Sequence, residues 1–451
     1  MTFTPPKHQR SAPVPIPRTG IGTVPSLLLH ILLCLTAAMI PLGLATAFGA
    51  VRIPSVAVEI IAVSLLILTA VYFFRMGKLS GKSFGGLLPI LGFIALFLIY
   101  MTGSAAVAAT AISLIFFVGE GSMLLATQTK RALVWFPLAP LAALGLSLAV
   151  CTRIDTALLC LLPLPATLAL ALGTRSSAAS EDGLTRVGVI CLTSFCLGVT
   201  VAGFGAWFLY QSMGTLEPSA IQSLIDHLQA EITGSILELH LDTGNEIVYP
   251  FEGKEALISN AVTVTFNILP AIGVVLVNMI SSISQMVTLS GLSAFGFGSS
   301  VSDHVKEYRI SAISSFFFLV ACIVTLIANA ESSTIVGTVA ENLTIILLPG
   351  LGLAGFLRLI STMARKGCAP GCLIFLLFPI ILFLSFNILL ILAGYEAISA
   401  VFGPLVAKLK PPRDDDSPFP PSNDDEGGDE NEDDNTSSHD NDSHQDGPSL
   451  F

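Results

Sequence analysis

Charge is scarce along most of this chain. Of its 451 residues only 12% are Asp, Glu, Lys or Arg, 53% are hydrophobic, and the mean hydropathy is +0.79. Soluble domains carry about 25% charged residues, so an ordinary soluble fold is excluded and the chain groups with integral membrane proteins. The formal net charge of −11 conceals an asymmetry. From Asp414 onward there are 14 Asp/Glu and no Lys or Arg, which leaves 32 − 14 = 18 acids against 21 bases before it. The body is thus +3 and the tail −14. A basic nucleic-acid footprint is also missing, because the bases sit singly at the ends of apolar runs, and nucleic acid is not expected as a partner.

Reactive constellations are equally lacking. The eight cysteines are scattered, mostly inside apolar segments (Cys34, Cys151, Cys160, Cys191, Cys196, Cys322), where a thiol acts as a small hydrophobe. Cys368-Ala-Pro-Gly-Cys372 has neither the CxxC spacing of a redox pair nor histidine partners for zinc. No HExxH, GxSxG, Walker A loop or paired-carboxylate arrangement occurs. The expectation is a non-enzymatic protein with no cofactor and no metal. The glycines of Pro349-Gly350-Leu351-Gly352-Leu353-Ala354-Gly355 sit within an apolar run, where small residues let helices approach closely.

What the chain does have is a series of apolar segments of bilayer-spanning length. They cover 24–48, 54–74, 86–102, 105–127, 133–150 and 156–173, then 187–210, 259–290, 310–328, 342–361 and 371–394. Pro137, Pro140, Pro163 and Pro165 mark the fifth and sixth as a pair that could be broken or re-entrant. The fold class predicted is all-α, a polytopic membrane bundle of about eleven helices with the lipid bilayer as its solvent. The first 23 residues are a basic, Pro-rich tail, followed by a bundle over 24–210, a segment over 211–258, a second bundle over 259–408 and a disordered acidic tail over 409–451.

Lys and Arg cluster in alternate connections: Lys7, Arg10 and Arg18, then Arg75, Lys78 and Lys82, then Lys130/Arg131, Arg175/Arg186, Lys306/Arg309 and Arg365/Lys366. The positive-inside rule makes that side, and the N-terminus, cytoplasmic in a multi-pass cell-membrane protein. The side of the acidic tail is open. Eleven spans put it outside, whereas Lys408, Lys410 and Arg413 favour inside. On the outer side, residues 211–258 carry Ile221, Ile225, Leu228, Ile232, Ile236 and Leu239 at helical spacing, opposed by Gln222, Asp226, Gln229 and Thr233. An amphipathic helix is predicted there, begun by Pro218 with a capping box from Ser219 to Gln222. His227 and Glu231, with Glu238 and His240 further on, read as a solvated face.

Polar groups at membrane depth are the candidate site. Asn267, Asn278 and Gln285 are separated by 11 and 7 residues, which at roughly 100° per residue returns them to one helix face. Thr263, Ser281 and Thr288 lie near that stripe, and Pro270 opens the backbone within it. Glu120, in Gly119-Glu120-Gly121, is either functional or a headgroup-level acid, and Glu59 fits an interfacial position. Asn342 and Asn387 are weaker candidates.

Three features recur in order along the C-terminal half: Ile268-Leu269-Pro270 opening a long helix, Lys306-Glu307-Tyr308-Arg309-Ile310 before the next span, and Leu348-Pro349-Gly350-Leu351-Gly352-Leu353-Ala354 before a basic turn. In these the stretch from about Asn267 to Pro404 resembles the YybS-like family of bacterial membrane proteins, itself distantly similar to the substrate-binding subunits of energy-coupling-factor (ECF) transporters. Tyr395-Glu396 stands where that pattern has an Asp and a closing basic stretch. The resemblance implies a helical membrane fold. It fits a transporter-like or small-ligand-binding protein, with a small molecule and other membrane proteins as partners. The alternative is an envelope scaffold or regulator.

Overall fold

The computed structural model describes residues 23–47, 50–79, 87–127, 136–179, 186–242, 254–294, 312–330, 335–365 and 386–409. The acidic tail, the basic loop at 306–309 and the Cys368/Cys372 stretch lie outside them. The described residues form α-helices, one 3₁₀ turn and no strand. In order these are α1 (Thr23–Ala47), α2 (Ser55–Leu79), α3 (Leu87–Thr102), α4 (Ala105–Ala126), α5 (Leu138–Val150) and α6 (Ile154–Ala157). There follow α7 (Leu164–Ala179), α8 (Arg186–Met213), α9 (Pro218–Asp242), α10 (Lys254–Ala294), α11 (Ala312–Ala330), α12 (Ile335–Arg365) and α13 (Phe386–Leu409). Only a helix satisfies every backbone group within one apolar segment, so runs of this composition have no other route in lipid.

Among the described residues, seven stretches are long and apolar enough to cross a membrane: Leu27–Thr46, Ser55–Met76, Ala105–Ala126, Ile154–Ser176, Gly188–Met213, Ile258–Ala294 and Ile335–Phe356. Four shorter apolar helices accompany them, at Leu87–Thr102, Leu138–Val150, Ala312–Ala328 and Asn387–Gly403. Large apolar side chains face outward along these helices, among them Ile60, Val63, Ile67, Val71 and Phe74 on α2. A surface of that kind suits lipid rather than water. The chain is a multi-pass helical membrane protein.

Ten of the eleven expected spans have a helix at their place. Of the eleventh, 371–394, residues 371–385 lie outside the described residues, and the rest belongs to α13, which continues to Leu409. Ala393 and Ala397 of α13 join Phe318, Leu348 and Leu351 in a small core. Of the proline-bearing pair, the sixth span is interrupted, whereas α5 runs unbroken from Leu138 with Pro140 in its first turn. A 3₁₀ turn, Leu158–Leu161, stands just before Pro163, whose ring cannot donate to the preceding turn. The capping box also shifts, since α9 begins at Pro218 itself and Gln222 bonds Asp226 at 2.9 Å instead of reaching back.

Side-chain pairs fix the relative directions of the helices. Glu59 at the start of α2 meets Ser104 just before α4, and Tyr72 and Phe73 further along meet Phe116, with ring centroids 5.4 and 5.8 Å apart. The two helices are therefore parallel, as two spans separated by one other must be. Between α4 and α10 the pairs Ile115–Ser284 and Gly119–Thr288 rise together in the same way. At the opposite end of α1, Gly43 packs against Ala106 and Thr110 near the start of α4. The connections before α2 and after α5 share that end, because Val51 and Cys151 form an antiparallel bridge and Arg52 N–H donates to the Val150 carbonyl at 2.8 Å.

Candidate functional site

Glu120 is where the helices converge. On α4 the sequence Val118-Gly119-Glu120-Gly121-Ser122 places a glycine on either side of the acid, and each opens a different helix contact. A Cβ at Gly119 would stand 2.7 Å from Val287 Cβ and 2.9 Å from the Ser284 carbonyl, so α10 can come this close only because there is none. A Cβ at Gly121 would stand 3.0 Å from Thr167 Cγ2 and 3.1 Å from Phe136 Cε2. Hydroxyls tie both contacts. Thr288 Oγ1 donates to the Gly119 carbonyl at 2.9 Å, Ser284 Oγ to Ile115 at 3.2 Å, and Ser122 Oγ to Thr167 at 2.9 Å.

Between these contacts the Glu120 side chain is fully buried, at 0% exposure. Neither carboxylate oxygen makes a hydrogen bond of ordinary geometry. Tyr72 of α2 is a polar group within interaction range of it, and both oxygens lie 3.5 Å from the position a Cβ on Gly291 would take. Met123 closes the same contact, 2.4 Å from that position. A carboxylate so enclosed keeps its charge only with a cation beside it, whereas the protonated acid needs none. No ion pair of Glu120 occurs among the described residues. Chemically, the group can hold a proton or pair with a cation.

The other intramembrane acid has a structural role. Glu59 Oε1 accepts from Ser104 Oγ at 2.6 Å and Oε2 from Ala106 N–H at 3.0 Å, so it caps the N-terminus of α4 and complements its dipole.

The three amides of α10 differ in exposure. Asn267 is exposed, Asn278 is half-buried, and Gln285 is buried. At Pro270 the backbone finds its partner on α12. Asn342 Oδ1 accepts from Ala271 N–H at 3.2 Å, and Asn342 Nδ2 donates to the Asn267 carbonyl at 2.9 Å. One carboxamide thus holds both ends of the helical rung next to the proline. Asn387 is exposed at the start of α13.

A cleft of about 520 Å³ opens beside the first turns of α10, lined by Asp226, Gln229, Ala230, Thr233 and Gly234 of α9 with Ser259 and Thr263 of α10. The small and polar side of α9 therefore turns toward α10, while Leu228 and Ile232 are left 37% and 40% exposed. His227 and Glu231 are both exposed, and among the described residues no cluster of three His, Cys, Asp or Glu side chains could hold a metal.

Tyr72, Ser284 and Gly291 belong to the Glu120 site and were not found by sequence reasoning. The small residues flanking Glu120 were the available signal, since glycines beside an intramembrane acid mark close helix approach. No family model, curated protein or solved structure matches this chain.

Proposed function

We propose that this is a transporter-like or small-ligand-binding protein of the cell membrane, with a cytoplasmic N-terminus, in which Glu120 is the intramembrane binding group. The observation that carries this reading is the full burial of the Glu120 carboxylate without an ordinary hydrogen bond. An acid is costly at such a place, and a helix contact that needed only adhesion would be served by the serines and threonines around it. The kinship with the YybS-like family, and through it with ECF substrate-binding subunits, belongs to the same proposal and rests on the Pro270, Lys306–Ile310 and Pro349–Gly355 features of the sequence.

The test is native mass spectrometry of the gently purified protein, parent against Glu120→Gln. The parent is expected to retain a small molecule or ion that the variant loses, while both unfold at closely similar temperatures. A parent without any bound species, together with a variant equal to it in every respect, would remove the reading. A scaffold or regulatory role is then favoured by α9, whose Leu228 and Ile232 are presented outward. Co-purification of an envelope-assembly complex, rather than an ATPase pair, is the outcome that belongs to that second reading.

A further inference from the structure

The last two helices run the same way. A Cβ on Gly352 of α12 would lie 2.4 Å from Leu389 Cδ1 of α13, and one on Gly355 would lie 2.4 Å from the Leu392 carbonyl oxygen. One turn further, Arg358 Nη1 stands 3.1 Å from Glu396 Oε2, donates to Ser399 Oγ, and places its guanidinium 5.6 Å from the Tyr395 ring centroid. The paired numbers rise in step, with offsets 389 − 352 = 37, 392 − 355 = 37 and 396 − 358 = 38. In an antiparallel pair one number would fall as the other rose. The neighbouring pair does that, since Phe318 of α11 meets Leu348 and Leu351, and Cys322 meets Thr344.

Two parallel helices that follow one another in the chain have a connection that returns from the end of the first to the start of the second. Residues 366–385 are that connection, and after Lys366 they contain no charged residue. We infer that α12 and α13 cross in the same direction, so that Leu409 emerges on the face where α12 ends. Lys408, Lys410 and Arg413 then follow the same charge rule as every other basic connection.

Sidedness is tested in the full-length protein by inserting a protease-cleavage sequence after Asp416. Reference insertions go into 75–83 and into 243–253, and all are cut in sealed vesicles of each orientation. The tail site is expected to be cut together with the 75–83 site. Cutting together with the 243–253 site overturns the inference. Helix direction is read separately by bis-maleimide cross-linking of Arg358→Cys with Glu396→Cys, and failure of that pair to react when both sites label singly counts against the parallel register.

Discussion

The Asn342 side chain of α12 donates to the Asn267 carbonyl of α10 at 2.9 Å, across the break that Pro270 makes. Because its oxygen also takes the Ala271 N–H at 3.2 Å, one residue of the second bundle mends the backbone of the helix that joins the two. Asn342→Leu is expected to lower stability by about 1 kcal/mol, since it strips partners from backbone groups that lipid cannot serve. Replacing Pro270 with Ala restores an N–H and should shrink the loss caused by Asn342→Leu. Thermal unfolding in detergent of the two single variants and the double variant measures this. Strictly additive losses would mean that Asn342 acts elsewhere.

Gly119 and Gly291 stand on the two sides of the α4–α10 contact and should respond differently to an added methyl. At Gly119 the new Cβ meets Val287 Cβ and the Ser284 carbonyl at 2.7 and 2.9 Å, neither of which can move without shifting backbone. Gly119→Ala is expected to cost roughly 1–3 kcal/mol. At Gly291 the obstacle is the flexible end of Met123, at 2.4 Å. Gly291→Ala should therefore be the milder change in a melting experiment, and Met123→Ala should relieve it.

Glu59 and Glu120 are both acids within apolar helices, and their variants should separate cleanly. Glu59→Ala loses the cap on α4 and is expected to reduce stability by about 1 kcal/mol while leaving any species bound by the parent in place. Glu120→Gln should do the reverse. Unfolding temperatures and native mass spectra of the two variants, taken side by side, decide it.

Deleting residues 414–451 should leave membrane insertion and the melting temperature of the body nearly unchanged, because surface ion pairs contribute little and the tail has almost nothing apolar to bury. Comparison of folded yield and unfolding temperature with and without the tail is sufficient. A large loss of folded protein would mean that the tail packs into the bundle.

Several of these features were readable before any coordinates. Glu120 declares itself as a lone acid in an apolar run, and the long apolar segments declare their helices because hydrophobicity is local. Its neighbours do not. Tyr72 and Gly291 reach Glu120 from helices whose order in the bundle leaves no trace in composition. The stripe of Asn267, Asn278 and Gln285 followed from helix geometry, which holds along one helix but is silent about what each turn faces. Pro270 hands the outer part of α10 to α12, while Ser284 and Thr288 keep the inner part on α4. The end of the last span was equally hard to read, because from Gly367 to Gly394 no charged residue marks a boundary, and α13 runs on to Leu409.

The bridge between Val51 and Cys151 has a consequence for the order of events during synthesis. Ala50 accepts from the Thr152 hydroxyl, a partner 102 residues later in the chain. At the usual pace of translation roughly 5–20 s separate the two. For that interval the first hairpin waits in the membrane with its outer turn unmatched. Completion of this rim is thus a late event in biogenesis, set by delivery of the sixth span rather than by the stability of the first two.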